Sequence, residues 1–450
     1  MMALLAGLGP RDEVAVVGLG RSGVGAAKLL RSIGSAVYAS DAGGGPGVEA
    51  AAASLRVIGA AVDTSGHDLD RISRCRLLVV SPGVRPDAPA VVAAVGAGVP
   101  VWAEAELGLR ALRGIPFVAV TGTNGKTTTT AIAGHILSRA GRRARTAGNI
   151  GTPLTEVALD AERPEVMAVE LSSFQLHDMP TLAPTVGILT NLAPDHLDRS
   201  ASLDAYYGDK IRLFANATAG SRWITNADDG ASEIRVGSPA GVRERFSVRG
   251  PADGWYDRER RRFMVGSQAI LERDGFPLLG DHNVANALAA VLAVRALGVP
   301  AADLAAGLAT MPALPHRMEP VADRGDVLWI NDSKATNVAS TTVALEAMER
   351  PFVLLLGGRH KGERYQSLVP LLGRCRAVIA FGEARPLIVA DLAGSVSVVE
   401  GGDFADVVAK AKALARPGDA VLLSPACSSY DMFANYEERG VRFRAAAEAS

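Results

Sequence analysis

Apolar runs of strand length, each closed by glycine or a polar residue and followed by a longer Ala- and Leu-rich stretch, recur along the whole chain. Runs of this kind, with helical stretches between them, predict buried parallel strands joined by covering helices. In the first segment the strands are Glu13 to Val17, Ala36 to Ser40 and Arg76 to Val80, and a helix after the first ends near Gly34. In the second they include Phe117 to Val120, Val166 to Glu170 and Val186 to Asn191. A helix is expected from Lys126 to Ala140, and another from Ser202 to Asn216. From Phe246 to Leu279 the pattern turns charged and Gly-punctuated, which predicts a few appended antiparallel strands before a long apolar helix that starts at Gly280. Pro312 and Pro315 mark a linker. Beyond it, Val327 to Ile330, Phe352 to Leu356, Ala377 to Ala380, Val396 to Val399 and Ala420 to Leu423 alternate with helical stretches such as Phe404 to Leu414. The expected fold is α/β, with three domains that each hold a mostly parallel sheet: 1–103, 104–313 and 314–450.

Bulk composition narrows the function classes. At 450 residues the chain is too long for one core. Charged residues make up 21% and the formal net charge is -1, so nothing draws the whole molecule to nucleic acid or to an anionic membrane. Cys75, Cys375 and Cys427 are odd in number and far apart, which fits neither a disulfide framework nor paired zinc ligands. No apolar run reaches the roughly 20 residues that cross a bilayer, and no basic leader precedes the first strand. The expectation is a cytoplasmic protein without membrane insertion.

The most specific chemistry follows the strand at Phe117. Gly122, Thr123, Asn124, Gly125, Lys126, Thr127 and Thr128 form a shortened phosphate-binding loop, with Val120 where the full pattern wants glycine. Glycine lets backbone N–H groups approach an anion, and a helix N-terminus points its positive end at the same spot. Lys126 would reach the phosphates and Thr127 would hold Mg2+ through its hydroxyl. Glu170 and Asn191 stand at strand ends, and His196 and Lys210 follow. Ligands sit beyond the carboxyl ends of such strands, so these residues are expected to share one crevice with Lys126. From the residues alone, His196 between Asp195 and Asp198 reads as a loop histidine, and Lys210 as a solvated lysine on an amphipathic helix.

In the first segment Gly18, Gly20 and Gly23 have dinucleotide-binding spacing, and Asp41 ends the next strand where a ribose-binding acid would sit. The same turn suits NAD or the diphosphate of a UDP-linked substrate. In the third segment Asp332, Lys334 and Thr336 cluster after a strand, Lys361 follows a double glycine, and Cys427 lacks an evident His–Asp partner, which favours packing over nucleophilic work.

Seven motifs in order carry a resemblance: those at Thr121–Thr127, Glu170–Gln175, Asp195–Arg199, His282–Asn286, Pro315–Glu319, Asn331–Asn337 and Ser424–Ser429. Together they resemble the Mur ligase family across nearly the whole chain, on the branch that adds D-glutamate. The resemblance implies a Rossmann-like UDP-binding domain, a P-loop ATPase domain and a Rossmann-like C-terminal domain that closes over ATP and the amino acid. It implies that ATP phosphorylates the carboxylate of UDP-N-acetylmuramoyl-L-alanine and that the amine of D-glutamate displaces phosphate.

By the same resemblance, Asn149, Asn283, Asn286, His316, Arg317 and Asp332 join the loop in holding ATP. Gly18, Leu19, Gly20, Arg21, Ser22, Asp41, Ser81 and Gly83 hold the UDP substrate, and Lys334, Thr336, Lys361, Ser429 and Tyr436 hold D-glutamate. Lys126, His196 and Lys210 are the implied catalytic residues. Thr127, Glu170, His196 and a carbamylated Lys210 would bind two Mg2+ ions. A monomer is expected. After Asp41 the chain reads Ala42-Gly43-Gly44 where the family often supplies Thr-Arg, so no side-chain phosphate clamp is expected there, and Arg359 has no assigned role. Rival readings are a family member that adds another amino acid or acts on folate, and a nucleotide-gated binding protein.

Overall fold

The computed structural model describes residues 12–194 and 202–449. Three sheets alternate with helices, and the described residues group into two compact units. The first unit runs up to Gly275 and adds Ala285–Ala309; the second comprises Phe276–Val284 and Thr310–Ser450.

Two sheets lie in the first unit. Strands β1 (Glu13–Val17), β2 (Ala36–Ser40), β3 (Ala61–Asp63), β4 (Leu77–Val80) and β5 (Val101–Ala103) form a sheet of order β3-β2-β1-β4-β5, parallel throughout. The strand order reverses about β1, so its carboxyl end opens at a topological switch point, where such sheets bind ligands. Strands β6 (Phe117–Thr121), β7 (Ala144–Gly148), β8 (Val166–Glu170), β9 (Val186–Leu189), β10 (Arg222–Asn226), β11 (Val242–Ser247), β12 (Gly254–Asp257), β13 (Arg262–Val265) and β14 (Gln268–Glu272) form the second. Its order is β14-β13-β12-β11-β10-β9-β6-β8-β7, with β13 antiparallel to both β12 and β14 as the Gly-punctuated stretch implied.

The register sets the site. Val120 pairs with Glu170 of β8 and Thr121 with Leu189 of β9, so three strand ends finish level with the phosphate-binding loop. These strands read as unbroken apolar runs because helices cover both faces. Val118, Ala119, Val120, Ala168 and Val169 are wholly buried. The helix Asp281–Ala296 is apolar all round from Ala287 to Val294 and is buried to match.

The second unit's sheet holds β15 (Glu319–Arg324), β16 (Val327–Asn331), β17 (Phe352–Gly357), β18 (Cys375–Phe381), β19 (Val398–Glu400) and β20 (Ala420–Leu423), in the order β15-β16-β20-β17-β18-β19. All neighbours are parallel except β15 against β16. The edge strand β15 went unread because Pro320 and the polar run to Arg324 lack a strand pattern, and β3 and β5 because three residues carry no period. The helix expected over Ser202 to Asn216 spans Leu203–Ile211, capped by Ser202, and tightens into a 3-10 turn at Arg212–Phe214.

Candidate functional site

Two left-handed glycines shape the loop between β6 and the helix Lys126–Arg139. Gly122 has φ +140° and Gly125 φ +82°, and a Cβ there would lie 2.0 Å from Thr190 Oγ1 and 2.2 Å from Asn286 Oδ1 respectively. Thr190 and Asn191, at the end of β9, brace the loop from the side. Asn191 accepts the Asn124 N–H at 2.9 Å through Oδ1 and the Thr123 N–H at 2.9 Å through its carbonyl, while the Thr190 hydroxyl donates to the Asn124 carbonyl at 2.6 Å. No side chain caps the helix at Gly125, so its first-turn amides, with Thr127 and Thr128 among them, form an anion-seeking end. Lys126 Nζ donates to the carbonyls of Gly122 at 2.9 Å and Thr123 at 2.8 Å.

Lys210 lies at the same point. It is 1% exposed; its Nζ donates to Gly122 O at 2.8 Å and sits 4.5 Å from the centre of the Tyr206 ring. The reading of Lys210 as a solvated lysine is therefore corrected: its helix turns that side inward, onto the loop. Glu170 is buried at the end of β8, and Asn149 donates to its Oε1 from Nδ2 at 2.9 Å and to its carbonyl from N–H at 2.9 Å. His196 lies outside the described residues, so the crevice gathers Lys126, Lys210 and Asn191 around the loop, with Glu170 at the adjoining strand end. Asn286 reaches the loop from the helix Asp281–Ala296, where it accepts from Thr129 Oγ1 at 3.2 Å.

The hard oxygen donors Glu170 and Thr127 fit Mg2+, which keeps several waters and takes few protein ligands. Glu170 meets that requirement as a buried carboxylate that accepts from the Asn149 side-chain amide.

At the end of β1 the glycine turn is tight: a Cβ on Gly23 would lie 1.8 Å from the Gly18 carbonyl, which accepts the Ser81 hydroxyl at 2.8 Å. Asp41 accepts the Leu19 N–H at 2.7 Å and the Gly43 N–H at 2.8 Å, so the carboxylate shapes the turn that it was expected to serve. Gly83 lies in a turn closed by the Val84 N–H on Ser81 O at 3.0 Å. Gly20 opens the helix that Arg21 and Ser22 begin, and the Arg21 guanidinium points to Glu156.

The second unit gathers the third-segment residues. His316 and Met318 hold positive φ of 62° and 42°, a conformation disfavoured for such side chains and a mark of functional loops. The His316 N–H donates to Glu319, its carbonyl accepts the Lys334 N–H, and its ring lies edge-on to Tyr436. A Cβ on Gly440 would lie 2.1 Å from His316 Nδ1, so any larger residue there would displace the imidazole. Arg317 follows in the same loop. Asp332 accepts from the Met318 N–H and the Ser424 hydroxyl, and burial pushes its carboxyl up to about 7. Lys334 Nζ lies 5.3 Å from the centre of the Tyr436 ring. Lys361 Nζ approaches Thr336 Oγ1 at 3.5 Å. Ser429 is buried, and its carbonyl accepts from Met432 and Phe433. Asn283 donates to Leu279 O at 2.8 Å.

Sequence reasoning missed Arg439. It is wholly buried, donates to Ser333 Oγ at 2.9 Å and Ser333 O at 2.8 Å, and donates twice to Cys427 O at 3.1 Å. It thereby ties together the loops after β16 and β20, and burial lowers its guanidinium to about 10. In sequence it looks like any helix arginine; Gly440 beside it is the one signal of close packing. Cys427 is a buried thiol pushed up to about 11 by its surroundings, which suits packing and not a nucleophile. Arg359 pairs with Glu383.

A glycine-rich loop between a parallel strand and a helix, with a buried lysine on it, a buried glutamate at the adjoining strand end and a switch-point glycine turn in the same unit, defines a multi-sheet α/β protein of the nucleotide-binding type. Family models narrow the class: Mur ligase MurD-like, N-terminal domain, matches residues 12–103; Mur ligase middle domain, 120–294; and Mur ligase, glutamate ligase domain, 316–427. The UDP-N-acetylmuramoylalanine--D-glutamate ligase of Anaeromyxobacter dehalogenans is 42% identical, over 96% of this chain and 96% of that protein. The enzyme of the same name from Myxococcus xanthus is 39% identical, over 97% and 98%. Among solved structures, a MurF ligase from Thermotoga maritima in complex with ADP shares the fold at TM-score 0.63 and 17% identity, covering 92% of this chain and 95% of its own. The UDP-N-acetylmuramate-alanine ligase MurC of Thermotoga maritima gives TM-score 0.61 at 19% identity, over 98% and 100%. The chain belongs to the Mur ligase family.

Proposed function

We propose that the protein is an ATP-dependent ligase that adds D-glutamate to UDP-N-acetylmuramoyl-L-alanine in peptidoglycan precursor synthesis. The observation that carries this reading is the near full-length similarity to relatives of that name, at 42% identity in the first described. The phosphate-binding loop braced around Lys126 and Lys210 supports it chemically. A carboxylate oxygen of the UDP-linked substrate attacks the γ-phosphorus and ADP leaves. The D-glutamate nitrogen then attacks the acyl carbon, a proton leaves the nitrogen, and phosphate departs with the C–O bond. Two anions meet in the first step, so catalysis is mostly positioning and charge stabilisation.

In this reading the loop Gly122, Thr123, Asn124, Gly125, Lys126, Thr127 and Thr128 holds ATP with Asn149, Asn283, Asn286, His316, Arg317 and Asp332. Thr127, Glu170, His196 and a carbamylated Lys210 hold Mg2+, which supplies charge neutralisation when bound. Carbamylation would turn a buried cation, costly to keep dehydrated, into an anion suited to a metal. The turn Gly18 to Ser22, with Asp41, Ser81 and Gly83, takes the UDP moiety. Lys334, Thr336, Lys361, Ser429 and Tyr436 take D-glutamate, whose two carboxylates suit cations and hydroxyls. We assign these roles to domains 1–103, 104–313 and 314–450, of a cytoplasmic monomer. Among the described residues no helix is long and apolar enough to cross a membrane.

The test supplies ATP, Mg2+ and UDP-N-acetylmuramoyl-L-alanine with D- or L-glutamate, and follows phosphate and product mass. Phosphate release that requires both acceptor and D-glutamate is expected. Equal use of L-glutamate, or no amide product, overturns the reading.

A further inference from the structure

The short helix Leu154–Leu159 stands between the N-terminal glycine turn and the Glu170 strand end, and the first unit grips it from several sides. Its N-cap is Pro153, which offers no side-chain oxygen. Glu104 supplies the acceptor instead, taking the Thr155 N–H at 2.7 Å and the Thr155 hydroxyl at 2.6 Å. Glycines let neighbouring helices close on it: a Cβ at Gly108 would lie 2.5 Å from Leu154 Cβ, and one at Gly25 2.6 Å from Thr155 Oγ1.

Arg21, the first residue after Gly20, completes the grip. Its Nε lies 3.0 and 3.1 Å from the two Glu156 carboxylate oxygens, its Nη2 donates at 2.7 Å, and its Nη1 donates to Gly151 O at 3.0 Å. Two residues before Gly151 stands Asn149, which bonds Glu170 with both its amide and its backbone N–H. An exposed ion pair adds little stability, about 0–1 kcal/mol. A bidentate guanidinium that also fixes a backbone carbonyl does set geometry, because its fork is rigid.

We infer that Arg21, through Glu156 and Gly151, is a positioning residue that couples the N-terminal glycine turn to the Asn149–Glu170 pair. The edge of its guanidinium that faces Glu156 is committed to that carboxylate and not to a substrate phosphate. The coupling rests on the assignment of Glu170 to magnesium-bound nucleotide made under Proposed function.

Calorimetry of Mg·ADP binding to the full chain tests it, with metal-free ADP in a chelator as the control. Arg21→Glu and Glu156→Arg should each weaken Mg·ADP binding at least ~5-fold, the lower range of measured couplings, and leave metal-free ADP unchanged. The exchanged pair Arg21→Glu/Glu156→Arg restores the ion pair but leaves no donor at position 21 for Gly151 O, so it should recover part of the lost affinity and bind more tightly than either single variant. Arg21→Gln, which is milder, should fall between. Unchanged Mg·ADP affinity in both single variants overturns the inference. So does equal loss in the singles and the exchanged pair with a lowered melting temperature, or loss confined to UDP-substrate binding. The readout needs no turnover, so a wild type that binds Mg·ADP but forms no amide overturns the functional reading alone.

Discussion

Lys126 and Lys210 share one acceptor, the Gly122 carbonyl, the first from 4 positions away and the second from 88. Lys126 follows the phosphates in the proposed chemistry, so Lys126→Ala should lower kcat by at least ~10²-fold through lost transition-state charge stabilisation; phosphate-release kinetics check it. Lys210→Ala should lower activity on the order of 10²-fold, as loss of a stabilising group in the site does. Added bicarbonate should not restore it, a short carboxylic acid should restore part, and wild type with labelled bicarbonate should show a carbamate carbon resonance. Glu104 tests the residue scale by pH. It is 1% exposed, and burial pushes its carboxyl from 4.5 up to about 7. The folded state therefore holds the proton more tightly, and this stabilisation is full below about pH 4.5 and lost as pH rises through about 7. The stability difference between wild type and Glu104→Gln should fall by on the order of 2–3 kcal/mol from pH 4.5 to pH 8. Urea unfolding across that range measures it.

At the scale of elements, the loop works because glycine occupies left-handed backbone at the start of a helix. Gly125→Ala adds a strained φ, about 1 kcal/mol or more, and drives a Cβ to 2.2 Å from Asn286 Oδ1, which Thr129 also engages. ADP affinity should fall at least ~10-fold, since each 1.4 kcal/mol is tenfold. Gly47→Ala is the control: a Cβ there meets nothing within 4 Å, and binding should stay unchanged. The strands behind the loop were legible because parallel strands covered on both faces are continuously apolar. The edge strands β3, β5 and β15 were not, because half-exposed or Pro-bearing edges obey no period that a window can detect.

For the whole molecule, three sheets carry three sets of motifs, and the functional reading needs all of them. At 46.6 kDa the chain should elute as a monomer by light scattering coupled to size-exclusion chromatography, unaltered by ADP. The formal net charge of -1 gives no long-range attraction to anionic substrates, so in the proposed reading their capture falls to local groups such as the loop amides and Lys126.

What the sequence by itself determined was local: the α/β alternation, the phosphate-binding loop, Glu170 at a strand end and Phe404–Leu414 as a helix. Those follow from periodicity and from residues that act with their immediate neighbours. Tertiary structure alone decided which face of the helix Leu203–Ile211 turns inward and so buries Lys210. It also decided that Asp41 braces the glycine turn at Leu19, that Arg439 ties two loops, and that Arg21 grips Glu156 across 135 positions. Each depends on a partner far away in the chain, and spacing along a sequence carries no information about such contacts.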